Sequence, residues 1–300
     1  MLQNKNAVVT GASMGIGKAV AMELARRGAN VVVNSSGNGP AGPGSDPESL
    51  DTVVAEIKSL GGTAIASCGS VADFEYAGEL IQLCVNKLGA IDILINIAGV
   101  GEGKGSSMVE IDFDNWNRVI GVHLTGTFNT CRHALPFMVD QKDGAIINTS
   151  SHAFLGSYGG SAYAAAKGGI NSLSAAMARD FAEHNIRCNI VFPGAKTRLS
   201  SGADYVAQIR QLNKRGLLDD QRMESALNPA PPAHIAPVYA FLASDKASSL
   251  TGKMFTASGS HLGEFPWPDE RVMAVGDPNT RGAWQYQEVQ DLLTPAADAR

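Results

Sequence analysis

The fold of this chain is decided by Ala7-Val-Val-Thr-Gly-Ala-Ser-Met-Gly-Ile-Gly17, where a short apolar run meets three glycines. The apolar run predicts a buried strand, and the pattern from Gly15 to Arg27 predicts a helix. The Gly-x-x-x-Gly-x-Gly spacing permits a tight turn and a close approach of the backbone to a phosphate. The N–H groups and the dipole at a helix N-terminus favour an anion there. The stretch therefore predicts a nucleotide-binding turn; a tight turn without a ligand is the alternative.

Short apolar runs alternate with longer helical patterns along the rest of the chain. Five further strands are predicted, at 30–34, 63–67, 91–96, 144–150 and 186–192. Helices are predicted between them, at 49–60, 77–88, 116–138 and 162–184. Strands alternating with helices of this length are typical of βαβ units, and continuous apolar runs are typical of parallel strands. The pattern predicts an α/β fold, with a Rossmann-type doubly wound parallel sheet in a single domain.

Two segments depart from this alternation. Residues 198–232 follow the sixth strand and are predicted to form a substrate lid within a domain that spans 1–260. The apolar side chains of the lid indicate a bulky, largely apolar ligand; they are Tyr205, Ile209, Leu212, Leu217, Leu218 and Met223. Residues 261–300 show no clear strand and are predicted to be an extension packed on the domain or on a partner subunit.

The composition excludes several classes of partner. A net charge of -5 gives no basic excess for nucleic acid or an anionic membrane surface. No apolar run approaches the roughly 20 residues that span a bilayer. The first residues lead directly into a strand, so we expect a cytoplasmic protein. The four cysteines are scattered without metal-ligand spacing, so a reduced, metal-free protein is expected.

A tyrosine and a lysine lie one helical turn apart, at Tyr163 and Lys167. A positive charge beside a phenol favours the phenolate, so the phenol can exchange a proton with a substrate oxygen near neutral pH. An isolated pair of this kind is more often a solvated helix face. The glycine turn and the serine pair Ser150-Ser151 favour chemistry here.

These pieces resemble the motifs of the short-chain dehydrogenase/reductase family. They occur in the family's order over roughly residues 5–260 and comprise Thr10 to Gly17, Asn96-Ile-Ala-Gly99, Asn148-Thr-Ser-Ser151, Tyr163-x-x-x-Lys167 and Pro193-Gly194. The resemblance implies a nicotinamide cofactor and interconversion of a small-molecule ketone and alcohol without a metal. It also implies a homodimer or homotetramer, with which the small residues between Ala162 and Ala178 agree.

The resemblance also implies the roles of individual residues. Tyr163 would be the general acid/base, Lys167 would hold the nicotinamide ribose and lower the tyrosine pKa, and a serine would bind the substrate oxygen. The implied cofactor site consists of Gly11, Ser13, Met14, Gly15, Ile16, Gly17, Asn34, Ser35, Ser36, Ser70, Val71, Asn96, Ala98, Gly99, Tyr163, Lys167, Pro193, Gly194 and Thr197.

Two positions depart from the family pattern near the chemistry. The usual serine lies thirteen residues before the tyrosine, which indicates Ser150, whereas the strand pattern indicates the second serine, Ser151. A one-residue deletion in the following loop would reconcile the two, so Ser151 is the predicted catalytic serine. His123 stands where the family usually has an asparagine that supports a proton relay. It either serves that relay or is a buried histidine without a role in proton transfer.

The cofactor preference follows from the end of the second strand. Ser35 stands where NAD-dependent relatives usually carry an acidic residue, so a 2′-phosphate would not be repelled. No arginine is present there or at Met14 to attract it. The sequence therefore favours NADP over NAD.

Similarity within the family extends to the dehydrogenase part of multifunctional β-oxidation enzymes and their bacterial relatives. The shared pieces include Val122-His-Leu and Gly259-Ser-His-Leu-Gly. A 3-hydroxyacyl-CoA dehydrogenase is therefore one alternative, although fold likeness does not fix a substrate. The other alternative is a non-catalytic nucleotide sensor, which would usually have lost the tyrosine or the lysine.

Overall fold

The computed structural model describes residues 2–37, 48–103, 105–156, 160–197, 200 and 202–294. Within these residues one eight-stranded sheet forms the centre. Its strands are β1 (Asn6–Val9), β2 (Asn30–Ser35), β3 (Thr63–Cys68), β4 (Ile93–Asn96), β5 (Gly144–Thr149), β6 (Ile186–Gly194), β7 (Met254–Ser258) and β8 (His261–Phe265). They lie in the order β3-β2-β1-β4-β5-β6-β7-β8, and every pair is parallel except β7 with β8. The predicted doubly wound α/β fold is confirmed.

Helices follow most strands, as the sequence pattern predicts. They are α1 (Gly15–Arg26), α2 (Glu48–Ser59), α3 (Phe74–Leu88), α4 (Phe113–Ile120), α5 (Gly126–Gln141), α6 (Ser161–Asp180), α7 (Ala203–Lys214), α8 (Asp220–Leu227), α9 (Ala236–Ala243), α10 (Pro278–Arg281) and α11 (Tyr286–Leu293). The single helix predicted at 116–138 is two helices, because a π-helical turn at Gly121–Thr125 separates α4 from α5. The segment predicted as a lid contains α7 and α8.

The core lies on both faces of the sheet because successive strand residues point to opposite faces. Val9 and Val31 pack in a cluster with α1, α2 and α9. Val8 and Val32 pack in a second cluster with α3, α5 and α6. This arrangement explains why the strands are apolar at consecutive positions, and it fixes the carboxyl ends of the parallel strands along one edge.

The end of the sheet differs from the prediction. His261–Phe265 was expected to lie outside the sheet, but it forms β8 and pairs with β7 through the register Ser258↔His261. Gly259 adopts a φ of +57° in the connecting turn, a conformation that glycine adopts without strain. The chain up to Phe265 is one compact unit, and 266–300 is a second. Whether the second packs on the domain or on a partner stays a prediction.

The second unit has its own local interactions. The guanidinium carbon of Arg281 lies 3.4 Å from the centre of the Trp284 ring. Gln285 and Glu288 form a reciprocal capping box at the start of α11. No helix in the described part of the chain has the length and apolar character needed to cross a bilayer.

Candidate active site

A cavity of about 1350 Å³ opens at the carboxyl ends of the parallel strands. It lies where the strand order reverses between β1 and β4, the position at which open α/β sheets bind ligands. Pockets for one small ligand are usually of the order of 300–1,000 Å³. This cavity is therefore large enough to hold a cofactor and a substrate together.

The glycine turn between β1 and α1 forms one wall of the cavity. Gly11 has a φ of +67°, and a Cβ there would stand 2.8 Å from the Cα of Ala98. A Cβ on Gly17 would overlap the carbonyl oxygen of Gly11. Met14, at the N-cap, makes no side-chain capping bond, and the first turn holds no acidic residue. The turn thus fits a pyrophosphate, since its shape needs glycine and its helix N-terminus is uncapped by a side chain.

The residues at the end of β2 form a neutral, polar wall. Asn34 donates to the carbonyl oxygens of Ser67 and Gly69 and to the hydroxyl of Tyr76, at 3.0–3.2 Å. The hydroxyl oxygens of Ser13 and Ser35 lie 3.1 Å apart. These side chains fit the adenosine ribose of a dinucleotide, and none of them carries a charge.

Lys18 directly follows the glycine turn, but its side chain does not reach this wall. Its ammonium donates to Glu56 at 2.7 Å. It is not among the residues that line the cavity. A 2′-phosphate at the ribose would therefore meet serine hydroxyl groups and not Lys18.

All but one of the predicted cofactor-binding residues line this cavity. The exception is Asn96, which does not line the cavity, and its contact with a cofactor stays a prediction. Its buried side chain donates to Asn148 at 2.9 Å and accepts a hydrogen bond from Thr130 at 2.8 Å. It therefore joins β4 to β5 and α5 behind the cavity, where bonding within the protein occupies its amide.

Tyr163 and Lys167 lie one turn apart on α6 and both line the cavity. The Lys167 ammonium is 5.5 Å from the centre of the Tyr163 ring and donates to the Thr149 carbonyl oxygen at 2.7 Å. Burial of Lys167 disfavours its charged form and lowers its pKa to about 7. The lysine can therefore change protonation state at neutral pH.

The two candidate serines both line the cavity, but their hydroxyl groups make different hydrogen bonds. The Ser150 hydroxyl is buried and donates to the Lys167 carbonyl oxygen at 3.0 Å. The Ser151 oxygen is half-buried and accepts the backbone N–H of Ala153 at 3.2 Å. Ser150 thus ties β5 to α6, while Ser151 leads into the short 3₁₀ turn that follows.

His123 lies in the π-helical turn, edge-on to Tyr163 with ring centres 5.0 Å apart. Its Nε2 is 3.1 Å from the Val100 backbone nitrogen and 2.9 Å from the Val100 oxygen. Burial lowers its pKa to about 3, so the ring is neutral. A Cβ on Gly99 would overlap this ring. His123 therefore fixes the segment after β4 beside the tyrosine.

The predicted lid contributes part of the remaining wall. Tyr205, Ile209, Leu217 and Leu218 line the cavity, whereas Leu212 and Met223 do not. Sequence reasoning missed the aromatic side chains that β6 and β8 supply. Phe192 and Phe265 line the cavity with ring centres 5.9 Å apart, and His152 lies 5.3 Å from Phe192. The wall is thus largely apolar and partly aromatic.

Sequence reasoning also missed Glu102. This carboxylate lines the cavity, is only 8% exposed, and contacts the first turn of α6. The one available signal was an acidic residue shortly after the Asn96-Ile-Ala-Gly99 motif. That signal does not show which helix the side chain would reach.

The short chain dehydrogenase family profile matches residues 5–203. This chain belongs to the short-chain dehydrogenase family. Its members are oxidoreductases that act on CH–OH groups with NAD or NADP, so the predicted family and enzyme class are confirmed.

Several curated relatives share about a third of the sequence. Identity is 35% to the 3-oxoacyl-[acyl-carrier-protein] reductase FabG of Staphylococcus aureus, over 86% of this chain and 98% of that protein. It is 33% to a peroxisomal hydratase-dehydrogenase-epimerase of Neurospora crassa, over 96% of this chain. The match covers 30% of the Neurospora protein, so this chain corresponds to only part of that longer relative.

A solved structure agrees over nearly the whole length. A crystal structure of a short chain dehydrogenase from Mycobacterium avium superposes with a TM-score of 0.74 at 32% identity. It covers 97% of this chain and 95% of that one. The likeness therefore extends through the lid segment and beyond the residues that the family profile matches.

Proposed function

We propose that this enzyme interconverts a ketone and a secondary alcohol of a bulky, largely apolar substrate, with NADP preferred over NAD and Tyr163 as general acid/base. One observation carries the proposal. Tyr163 and the buried Lys167 line the same cavity as the glycine turn at Gly11 to Gly17. A proton donor and a dinucleotide cradle in one cavity are the two parts that this reaction requires.

The bound nicotinamide would supply or accept the hydride, and the protein would manage the proton and the charge on oxygen. In the reducing direction, the Tyr163 hydroxyl gives its proton to the developing alkoxide. The Ser151 hydroxyl donates a hydrogen bond to the same oxygen. Lys167 has a pKa of about 7. While it is charged it favours the phenolate form of Tyr163, and it can exchange a proton near neutral pH.

The neutral wall at the end of β2 supports the NADP preference. A carboxylate at this position would repel a 2′-phosphate, and Ser35 carries none. The serine hydroxyl groups can hydrogen-bond a phosphate, although more weakly than arginine does. We therefore expect only a modest margin between the two cofactors.

The substrate class takes support from the apolar wall and from the names of the relatives. The FabG relatives are reductases of 3-oxoacyl groups on acyl carrier protein. A 3-oxoacyl thioester is therefore the first substrate to test, with a 3-hydroxyacyl-CoA as the second candidate in the oxidising direction. A homodimer or homotetramer and a cytoplasmic location complete the proposal.

Replacement of Tyr163 by phenylalanine tests the central role. The change removes the transferable proton and leaves the ring, so turnover of acetoacetyl-CoA should fall by at least about 10²–10⁴-fold. The NADPH dissociation constant should stay within about twofold. Tyr286→Phe, on the exposed side of α11, is the matched control and should keep full activity. Near-normal turnover by Tyr163→Phe would remove the proposed mechanism.

A sensor would bind cofactor but turn over no substrate, so the wild type also separates the rival function. We expect NADPH oxidation that depends on the added 3-oxoacyl thioester. Tight NADPH binding without oxidation across a panel of ketones would favour the sensor.

Ser35→Asp tests the cofactor preference. The new carboxylate should repel a 2′-phosphate and bind ribose hydroxyls, which would reverse a preference for NADPH. Fluorescence titration of NADPH and NADH with both proteins measures the four dissociation constants. Ser248→Asp, at an exposed position distant in sequence, controls for added negative charge. Tighter NADH binding by the wild type would contradict the assignment.

A further inference from the structure

A buried carboxylate caps the helix that carries Tyr163 and Lys167. The Oε1 atom of Glu102 accepts the backbone N–H of Ala162 at 2.8 Å, and its Oε2 atom accepts that of Tyr163 at 3.4 Å. The N-cap residue of α6, Gly160, has no side chain for this purpose. Glu102 therefore supplies from another segment, sixty positions earlier, the cap that a helix usually obtains from its own N-terminus.

The space for this carboxylate depends on the absence of a side chain at Gly160. A Cβ there would overlap Oε2 of Glu102 and the Cβ of Ser106. The backbone φ of Gly160 is -99°, which any residue can adopt. Close approach of Glu102, and not backbone strain, is thus the physical reason for glycine at this position.

The segment that carries Glu102 is held from its other side. Asn115 donates to the Glu102 carbonyl oxygen at 2.6 Å, and Arg118 donates to the Gly101 carbonyl oxygen at 2.7 Å. The preceding residue, Val100, is bonded to His123 through its backbone. Hydrogen bonds from α4 and from the π-helical turn therefore fix the backbone of the segment that carries the Glu102 carboxylate.

We propose that Glu102 is a positioning residue that sets where the Tyr163 hydroxyl stands relative to the cofactor. This inference rests on the proposed role of Tyr163. A negative group at a helix N-terminus is favourable to the helix, and two of the first-turn N–H groups of α6 lose their partner without it. The first turn carries Tyr163 itself, so loosening of that turn moves the reacting oxygen.

Two variants of Glu102 and one control test this role. Glu102→Gln keeps one carbonyl acceptor and removes the charge, whereas Glu102→Ala removes both acceptors. Glu110→Gln is the control, because Glu110 is exposed in the same segment and bonds only the nearby Ser107 among the contacts described. Displacement of a reacting group by about 1 Å can cost on the order of 100-fold in rate. We expect kcat to fall about tenfold or more in Glu102→Ala and less in Glu102→Gln.

A loss of stability alone would produce a different pattern. All rates are therefore measured per NADPH-binding site, with acetoacetyl-CoA as the probe substrate. A positioning role lowers kcat per site and leaves the NADPH dissociation constant within about twofold. Gly160→Ala, which displaces the same carboxylate from the opposite side, should lower kcat in the same way. Unchanged kcat per site in both Glu102 variants would overturn the proposal.

Hydrogen–deuterium exchange distinguishes this failure from failure of the proposed function. Amide exchange at Ala162 and Tyr163 should accelerate in Glu102→Ala and not in Glu110→Gln. Tyr163→Phe is assayed beside them. If that variant stays active, the role of Tyr163 is wrong whatever the exchange shows. If Tyr163→Phe is inactive and the amides of Glu102→Ala exchange as in the wild type, the capping role of Glu102 is wrong.

Discussion

Ser150 and Ser151 differ in the hydrogen bonds that their hydroxyl groups make within the protein. The Ser150 hydroxyl donates a hydrogen bond to the Lys167 carbonyl oxygen inside the protein. The Ser151 oxygen accepts a hydrogen bond from a backbone N–H. Among the described contacts, the Ser151 hydroxyl donates no hydrogen bond to a protein acceptor. A hydrogen-bond donor toward a substrate oxygen needs an available proton, so the geometry supports the strand pattern over the thirteen-residue spacing.

Alanine substitutions should separate the two serines. Loss of a donor to a developing oxyanion typically costs about 10²–10³-fold in kcat, and we expect such a loss for Ser151→Ala. Ser150→Ala should lower kcat much less and instead reduce the melting temperature, because a buried hydrogen bond is removed. Steady-state kinetics and thermal melts of both variants measure this. The reverse order in kcat would assign the role to Ser150.

Single residues also mark the limit of what the sequence could show. Tyr163 and Lys167 were predictable because their spacing in one helix brings them together. Glu102 was not, because its partners lie sixty positions away and only the folded chain brings them together. Asn96 was assigned to the cofactor from its motif, whereas its amide is taken up by Asn148 and Thr130.

At the scale of elements, the buried parallel strands β1 to β6 were the most predictable part, whereas the parallel strand β7 was not predicted. Their apolar runs have a local cause, burial on both faces, and this cause is visible in the sequence. β8 was missed because it is an antiparallel edge strand with apolar side chains only at Leu262 and Phe265 and a glycine between them. Its pairing with β7 arises from the turn at Gly259 and leaves no apolar run of its own.

The π-helical turn was missed for a related reason. One inserted residue changes the hydrogen-bond pattern but not the helical composition of the segment. The turn nevertheless places His123 against Tyr163 and Val100. An element defined by a single extra residue thus determines what faces the proposed acid/base.

Burial of His123 should make the stability of the cofactor-free enzyme depend on pH. Its pKa is about 3 when folded and about 6.5 when unfolded, so the unfolded chain binds the extra proton between these values. The contribution of the neutral, buried His123 to the free energy of unfolding is complete above pH 6.5 and is lost as the pH falls. At pH 5 the loss is roughly 2 kcal/mol.

His123→Asn should therefore lose less stability than the wild type between pH 7.5 and pH 5, as measured by urea unfolding at each pH. The exposed His234→Asn serves as the control and should follow the wild type. Parallel pH dependence in His123→Asn and the wild type would contradict a buried, neutral His123.

At the scale of the whole molecule, the described residues that line the cavity all come from the first unit. Every described residue that lines it lies between Gly11 and Phe265, including two from β8. The predicted boundary at 260 would therefore remove part of the cavity wall, whereas the boundary after Phe265 keeps every described residue that lines it.

Truncation tests this boundary. A chain that ends after Phe265 should keep NADPH affinity within about twofold, because the sheet and the cofactor wall are intact. A chain that ends after Ser260 loses β8, so it should melt at a lower temperature and turn over apolar substrates poorly. Thermal melts, NADPH titration and kcat/KM of both chains check this. Equal behaviour of the two truncated chains would contradict a role for β8.

The distribution of thiols over the fold has a practical consequence. Three of the four cysteines are buried, and burial raises the pKa of Cys84 and of Cys188 to about 12. Cys68 is the exposed one, at the end of β3 and in register with Ser35. A maleimide dye should therefore label the native protein at a single position without any engineered cysteine. That position is next to the wall proposed to hold the adenosine ribose, so we expect nucleotide binding to change the fluorescence of the dye.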